Sequence, residues 1–222
     1  DIIDPFFILF LVAFVLIMVI RHIGSVISLK KEKTTTELIH LKSQVNPHFF
    51  FNILNNLYGL VDKDTDKAKQ LILKLSDMMR YSIYDGQKEL VTLQEEVDYL
   101  KHYMELHQMR YHKSITLDFH TAIQNEKYKV VPLLFIILVE NAFKHGVEHL
   151  RTGAYVNVAL VAHNNEVNFT VENNFDADEV SSDPGIGLSN LKRRLELTYP
   201  NKHSLKHSIK DNVYKAQLRL QL

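Results

Sequence analysis

The chain has 222 residues, of which 46% are hydrophobic, and its 26 Lys and Arg are balanced by 26 Asp and Glu. This composition excludes a disordered tail or a collagen-like chain, and the zero net charge argues against a dedicated nucleic-acid binder. The absence of cysteine excludes disulfides, thiol nucleophiles and cysteine metal sites, so any metal must be held by His, Asp, Glu or Asn. The length predicts one or two domains.

The first predicted element is a membrane-spanning helix. Residues 5–20 read PFFILFLVAFVLIMVI without a charge, and flanking apolar residues extend this run towards the length that a bilayer requires. Asp1 and Asp4 precede the run and Arg21 and Lys30 follow it, which places the rest of the chain in the cytoplasm. A buried core helix is the alternative, whereas a signal peptide would need a basic start and a cleavage site that the sequence lacks. Because the chain begins with Asp rather than Met, we expect it to be part of a longer protein.

A helical hairpin is predicted next. Apolar residues recur every three or four positions over residues 34–60, which indicates a long helix, and Pro47 should kink it. A polar turn at residues 61–67 leads into a second amphipathic helix that ends near Gly86. Since two helices cannot bury wide apolar faces alone, the pattern predicts a homodimer in which two hairpins form a four-helix bundle.

The second half of the chain has the pattern of an α+β sandwich, with strands covered by helices on one face. Thr92 and Glu95 form a capping box that opens a third helix, which reaches about Tyr111. Further helices are predicted over residues 131–144 and 186–198. Alternating hydrophobicity predicts five strands, at residues 115–120, 154–162, 166–173, 204–209 and 213–220.

The first cluster with chemical potential is QVNPHFFFN at residues 44–52. His48 lies there on the predicted amphipathic helix, and a neutral imidazole can act as a phosphoryl acceptor. The alternative is a histidine that is satisfied by a neighbouring group.

The second cluster is VENAFKHG at residues 139–146. Glu140 and Asn141 lie near the end of an apolar helix, where polar groups are costly unless they have partners. The Asn141 amide oxygen suits Mg²⁺, and Glu140 can order a water or the metal shell. We interpret Gly146 as the end of the helix. A competing motif is the inverted-zincin pattern HxxEH formed by His145, Glu148 and His149, although no third ligand stands out.

The third cluster is GIGLSN at residues 185–190. Gly185 and Gly187 permit a close backbone approach to phosphate at the start of a helix. Arg193 and Arg194 follow within two turns, where they either reach the phosphate or form a solvated face. By contrast, His102, His107 and His112 do not share a helix face, which argues against a metal site there.

Taken together, NPHFFFN and ENAFKHG resemble the membrane-bound sensor histidine kinases of the LytS/YehU type, over residues 41–222. The resemblance implies that His48 is phosphorylated and that the ATP-binding domain has the Bergerat-like fold shared with Hsp90, gyrase B and MutL. The implied domains are a membrane helix and linker at 1–33, a dimerisation and phosphotransfer domain at 34–88, a connecting helix at 89–111, and a catalytic domain at 112–222.

The resemblance also implies positions for the nucleotide contacts. Lys144, His145, Gly185, Gly187, Leu188 and Arg194 fall where phosphate and nucleotide contacts are expected, with residues 174–184 as a lid. One position departs from the pattern, because Asn173 stands where many relatives have the Asp that accepts the adenine amino group, and Phe175 replaces a glycine. An Asn carbonyl can still accept this hydrogen bond, although it carries no charge.

The function that the resemblance implies is a sensor histidine kinase of a two-component system. Such a protein autophosphorylates His48 from Mg-ATP and passes the phosphoryl group to an Asp of a response regulator, here of the LytTR DNA-binding type. It would be a homodimer in the bacterial inner membrane, with its catalytic part in the cytoplasm and no direct contact with nucleic acid. The alternatives are a dimeric pseudokinase scaffold with weak or no nucleotide binding, which the Asn173 departure motivates, and a non-kinase ATPase of the same fold.

Overall fold

The computed structural model describes residues 47–111, 114–176 and 186–222, together with scattered residues between 17 and 38. The chain divides into two compact units, residues 1–43 and 44–222. The described residues of the first unit are helical. Within the described parts of the chain, no helix is both long and apolar enough to cross a membrane. Most of the predicted membrane span at residues 5–20 lies outside the described residues.

The second unit begins with a helical hairpin. Helix α1 (Pro47–Val61) is followed by α2 (Thr65–Ile83), whose first turn is capped because the Asp64 side chain accepts a hydrogen bond from the Lys67 N–H at 3.0 Å. The second predicted helix is therefore confirmed. Residues 39–46 lie outside the described residues, so the long helix and its kink stay predictions.

The third helix, α3 (Leu93–Arg110), is preceded by a 3₁₀ turn (Asp85–Gln87). Its capping box is confirmed, because Thr92 Oγ1 accepts from the Glu95 N–H at 3.2 Å and Glu95 Oε2 accepts from the Thr92 N–H at 2.7 Å. A two-stranded sheet was not predicted, since its strands β1 (Val91–Thr92) and β3 (Lys129–Val130) are too short to show alternation.

The main sheet has five strands in the order β2-β4-β5-β7-β6, in which β2 and β4 are parallel and the other pairs are antiparallel. One face is buried, with Val156, Phe169 and Leu220 fully inaccessible, and helices pack over it. The α+β architecture and all five predicted strands are confirmed. The strands are β2 (Ile115–Ile123), β4 (Ala154–His163), β5 (Glu166–Asn174), β6 (His203–Lys210) and β7 (Val213–Gln221).

The covering helices are α4 (Ile136–Ala142) and α5 (Ile186–Thr198), and the predicted start of the first at residue 131 is wrong. Residues 132–134 form a turn in which Leu133 has a φ of 56°, a left-handed conformation that no helix contains. The turn is held by the Glu96 carboxylate, which accepts from the Leu133 N–H at 2.6 Å and from the Leu134 N–H at 3.2 Å. This tertiary contact overrides the local helical pattern.

Candidate functional site

The core of the candidate site is the end of α4 and the π-helical turn that continues it (Phe143–Val147). The wider turn rotates the side chains so that Phe143 and Val147 are buried while Lys144 and His145 are exposed. An apolar helix therefore ends in a short polar surface. Such π turns occur frequently at functional sites.

Glu140 is half-buried in the last turn of α4. Burial raises the pKa of its carboxyl to about 7, while the neighbouring Lys144 acts in the opposite direction. A carboxyl with this pKa can either accept or donate a proton at neutral pH. His145 has a pKa lowered by its partial burial, with Lys144 and His149 adding to the effect.

Asn141 lies beside Glu140 with one end of its amide unsatisfied. Its Nδ2 atom is buried and has no hydrogen-bond partner among the described residues. A Cβ atom added to Gly187 would lie 3.5 Å from Asn141 Oδ1, so the first turn of α5 passes directly over this side chain. The structure thus brings together Asn141 and Gly187, which are far apart in the sequence.

Asn173 stands near the end of β5, with its side chain on the buried face of the sheet, and it is 1% exposed. Its Nδ2 atom donates to the Asn174 carbonyl at 3.0 Å, while its Oδ1 atom is buried without a partner among the described residues. A buried carbonyl oxygen of this kind is an open acceptor. Phe175, at the predicted glycine position, is half-buried, and its N–H donates to the Asn212 carbonyl at 3.0 Å.

We predicted that Gly146 ends the helix, whereas the structure shows that it allows a close contact with β5. A Cβ atom at this position would lie 2.3 Å from Asn173 Nδ2 and 2.6 Å from the Asn174 carbonyl oxygen. Both distances are shorter than any contact a real Cβ atom makes. Glycine is therefore required so that the π turn can lie against the end of β5.

Tyr214 on β7 was not predicted as a site residue from the sequence. Tyr214 lies directly opposite Asn173 in the antiparallel register, so their side chains share one face of the sheet. Its hydroxyl is buried and has no partner within the described residues. The alternating pattern of β7 indicates that Tyr214 faces inwards, but it does not indicate that the buried hydroxyl group lacks a hydrogen-bond partner among the described residues.

Of the two glycines in GIGLSN, Gly187 is described by the structure and Gly185 lies outside the described residues. Helix α5 begins at Ile186, as predicted, and Leu188 is half-buried against the core.

Arg194 contradicts both sequence interpretations. It is 2% exposed, and its guanidinium donates to the Leu133 carbonyl at 2.7 Å and to the Pro132 carbonyl at 2.8 Å. These hydrogen bonds replace the predicted phosphate contact, because the planar fork is already directed at the turn before α4. Arg193 instead forms a surface ion pair with Glu196 at 3.5 Å.

The side chain of His48 lies outside what the structure describes, but the next residue shows where its helix packs. Phe49 is 4% exposed and its ring stacks on His107 of α3, with centroids 5.0 Å apart. His107 in turn stacks on Phe143 of the π turn at 4.2 Å. Helix α3 therefore contacts both the helix that carries His48 and the segment that carries Asn141.

His107 itself is 2% exposed, and neither ring nitrogen has a partner among the described residues. Burial lowers its pKa to about 3, so the ring is neutral at physiological pH. Among the described residues, no three His, Asp or Glu side chains are placed to share a metal ion.

Comparison with known proteins shows which proteins this chain is similar to. Residues 36–115 match the family model described as histidine kinase. The sensor protein LytS of Staphylococcus haemolyticus is 35% identical over 182 residues, which cover 76% of this chain and 31% of that protein. LytS of Streptococcus agalactiae is 30% identical over 86% of this chain and 35% of its own length. The resemblance to LytS-type sensor histidine kinases is thus confirmed, and this chain spans about a third of the length of these relatives.

A further relative, the sensor histidine kinase/phosphatase LytS of Staphylococcus aureus, is 30% identical over 72% of this chain and 30% of that protein. Among solved structures, the histidine kinase domain of the Erythrobacter litoralis blue-light activated histidine kinase overlaps 86% of this chain and 96% of its own, with a TM-score of 0.47 and 12% identity. At that TM-score the overlap adds nothing to the assignment.

Proposed function

We propose that this chain is the kinase core of a sensor histidine kinase, which phosphorylates its own His48 from Mg-ATP. The observation that carries the proposal is the pair of unsatisfied amide atoms, Asn141 Nδ2 and Asn173 Oδ1, at one end of the sheet. Two glycines, Gly146 and Gly187, keep the backbone close to these side chains. Buried polar atoms without partners are costly, and a bound nucleotide would satisfy them.

The Asn173 end of the site suits the adenine base. Its Oδ1 atom can accept a hydrogen bond from the adenine amino group, as the Asp of many relatives does. The unpartnered hydroxyl of Tyr214 on the same sheet face offers a second polar contact. GTP presents a carbonyl in place of the amino group, so this end of the site favours ATP.

The Asn141 end suits the triphosphate and its metal. The Asn141 amide oxygen is the kind of ligand that Mg²⁺ prefers, and the Glu140 carboxylate can order a water in the metal shell. When bound, Mg²⁺ neutralises charge on the phosphates. Lys144 and His145 lie exposed on the adjoining π turn, where they can contact phosphate. Gly187 and Leu188 lie in the first turn of α5, and we expect them, together with Gly185, to allow the backbone to approach the phosphates closely.

Phosphoryl transfer ends on His48. A ring nitrogen of its neutral imidazole forms a bond to the γ-phosphorus as the bond between that phosphorus and the bridging oxygen of ADP breaks. Glu140, with its pKa near 7, can take up the imidazole proton or order a water at the metal. The phosphoryl group then passes to an Asp of a response regulator, which we expect to be of the LytTR type. The whole protein would be anchored in the bacterial inner membrane through the apolar run at residues 5–20, with the kinase core in the cytoplasm.

The hairpin carries an apolar surface that fits a second copy of the chain. Phe51, Leu54, Tyr58 and Val61 recur every three or four residues along α1, and Tyr58 is 85% exposed. Helix α2 adds four more exposed apolar side chains, Ile72, Leu73, Met79 and Ile83. Pairing these stripes with those of a second hairpin gives the predicted four-helix bundle and homodimer.

The test is to incubate the purified chain with γ-labelled ATP and Mg²⁺. We expect label that is labile in acid and stable in base, as a phosphorus–nitrogen bond is. Asn141→Asp should abolish Mg-ATP binding in calorimetry, because the added carboxylate repels the triphosphate. Wild-type affinity in this variant would remove Asn141 from the site, and a wild-type chain that binds no ATP would favour the pseudokinase.

A further inference from the structure

A buried chain of hydrogen bonds links the hairpin to the nucleotide site, and Glu96 on α3 lies at its centre. Glu96 is 1% exposed. Its Oε1 atom accepts from the Tyr81 hydroxyl of α2 at 2.7 Å and from the Leu133 N–H at 2.6 Å, and its Oε2 atom accepts from the Leu134 N–H at 3.2 Å. One carboxylate therefore holds the hairpin and the turn that precedes α4.

The same turn is held from its other side by Arg194 of α5, which donates to the Pro132 and Leu133 carbonyls. Tyr199, just beyond α5, adds a third contact, because its hydroxyl accepts from the Val131 N–H at 3.1 Å. The turn thus lies between a buried carboxylate and a buried guanidinium. The turn directly precedes α4 and is hydrogen-bonded to α5, and these two helices carry Asn141 and Gly187 of the candidate site.

The backbone of the turn is strained, and the hydrogen bonds with Glu96 and Arg194 must offset the cost of this strain. Leu133 has a φ of 56°, a conformation that is unfavourable for a bulky residue and that persists only where the surroundings impose it. The residues that follow the hairpin also contact this leucine, since a Cβ atom added to Gly86 would lie 2.7 Å from Leu133 Cδ1. The segment that follows the hairpin therefore lies directly against the turn, and Tyr81 of the hairpin is linked to the turn through Glu96.

We propose that Tyr81, Glu96, the turn at residues 132–134 and Arg194 form a polar relay, and that Glu96 is a positioning residue for phosphoryl transfer. The relay ties the orientation of the hairpin, which carries His48, to both helices of the candidate site, α4 and α5. Its effect is to hold the acceptor helix and the nucleotide in one fixed relation, which raises the transfer rate without adding a contact to ATP. This inference rests on the proposed kinase function.

The kinetic test uses Tyr81→Phe in the full chain, with Ser82→Ala as the matched control. Ser82 is the next residue on α2, and its hydroxyl lies 3.0 Å from that of Tyr99 on α3, so the control removes one hydroxyl contact between the same helices outside the relay. We expect Tyr81→Phe to lower the autophosphorylation rate at saturating ATP by about fivefold or more, with the ATP dissociation constant within about twofold of wild type. Ser82→Ala should leave both values within about twofold. A rate in Tyr81→Phe that equals or exceeds that of the control would overturn the positioning role.

A second measurement needs no kinase activity. In urea unfolding, the midpoint shifts of Tyr81→Phe and Arg194→Lys should not add in the double variant, whereas those of Ser82→Ala and Arg194→Lys should. Tyr199→Phe, a milder change just beyond the same helix, takes the place of Arg194→Lys if that variant does not fold. Additive shifts for the Tyr81 pair would show that no relay exists. If the wild-type chain takes up no label, the proposed function fails, and the unfolding cycle alone decides the relay.

Discussion

Replacing Gly146 by alanine should damage the candidate site by steric overlap. The added Cβ atom would lie 2.3 Å from Asn173 Nδ2 and 2.6 Å from the Asn174 carbonyl oxygen, and the latter belongs to the backbone of β5 and cannot rotate away. Overpacking of this kind costs about 1–3 kcal/mol, against which alanine recovers up to ~1 kcal/mol of helix propensity. We therefore expect a net loss of about 1–2 kcal/mol in the free energy of unfolding.

Gly59→Ala is the matched control for this variant. Gly59 lies in α1 and nothing lies within 4 Å of an added Cβ atom, so alanine should stabilise the chain by about 0.5–1 kcal/mol. Urea unfolding followed by circular dichroism measures both changes. ATP affinity should fall at least about tenfold in Gly146→Ala, because Asn173 is displaced, and should stay unchanged in Gly59→Ala. Equal stability gains in the two variants, or wild-type ATP affinity in Gly146→Ala, would refute the close approach.

Three further predictions concern the base, the buried histidine and the dimer. Asn173→Ala should weaken ATP binding by about 0.5–1.5 kcal/mol while Asn173→Asp matches or exceeds wild type in calorimetry, and equal affinities for ATP and GTP would show that Asn173 does not contact the base. The pKa of His107 is about 3 in the folded chain and 6.5 for the free side chain. Between these pH values only the unfolded state binds the proton, so the free energy of unfolding decreases as the pH falls below about 6.5. His107→Phe should flatten that loss in unfolding measured from pH 4 to 7, and an unchanged slope would contradict the buried, neutral ring. A chain that begins at Thr34 should be a soluble dimer in light scattering at micromolar concentration, whereas a monomer would defeat the four-helix interpretation.

The elements that local patterns encode were predictable. The five strands show alternating hydrophobicity because one face of the sheet is buried, and the capping box at Thr92 and Glu95 depends on residues only three apart. The NPHFFFN and ENAFKHG strings led to the resemblance to LytS-type kinases that the comparisons confirm. The candidate site residues Asn141 and Asn173 were predicted from the ENAFKHG string and the strand end that follows it in the same resemblance.

The features that depend on distant contacts were not predictable. The helix that was expected from residue 131 begins at Ile136, because Glu96, thirty-seven residues before Leu133, holds the preceding turn. Arg194 was predicted to be either solvated or bound to phosphate. Its position in the sequence does not indicate that its guanidinium donates hydrogen bonds to two carbonyls of a distant turn. Gly146 likewise looked like an ordinary helix end until the close approach of β5 was known.

The proposal that the phosphoryl group of ATP reaches His48 is tested by mapping the label to the residue that carries it. The full chain, His48→Gln and the control His40→Gln are each incubated with γ-labelled ATP and Mg²⁺, and the label is located by mass spectrometry at neutral pH. We expect label on His48 in the wild type and in His40→Gln, and none in His48→Gln although that variant still binds ATP. Label that persists in His48→Gln, or that maps to another residue in the wild type, would contradict it.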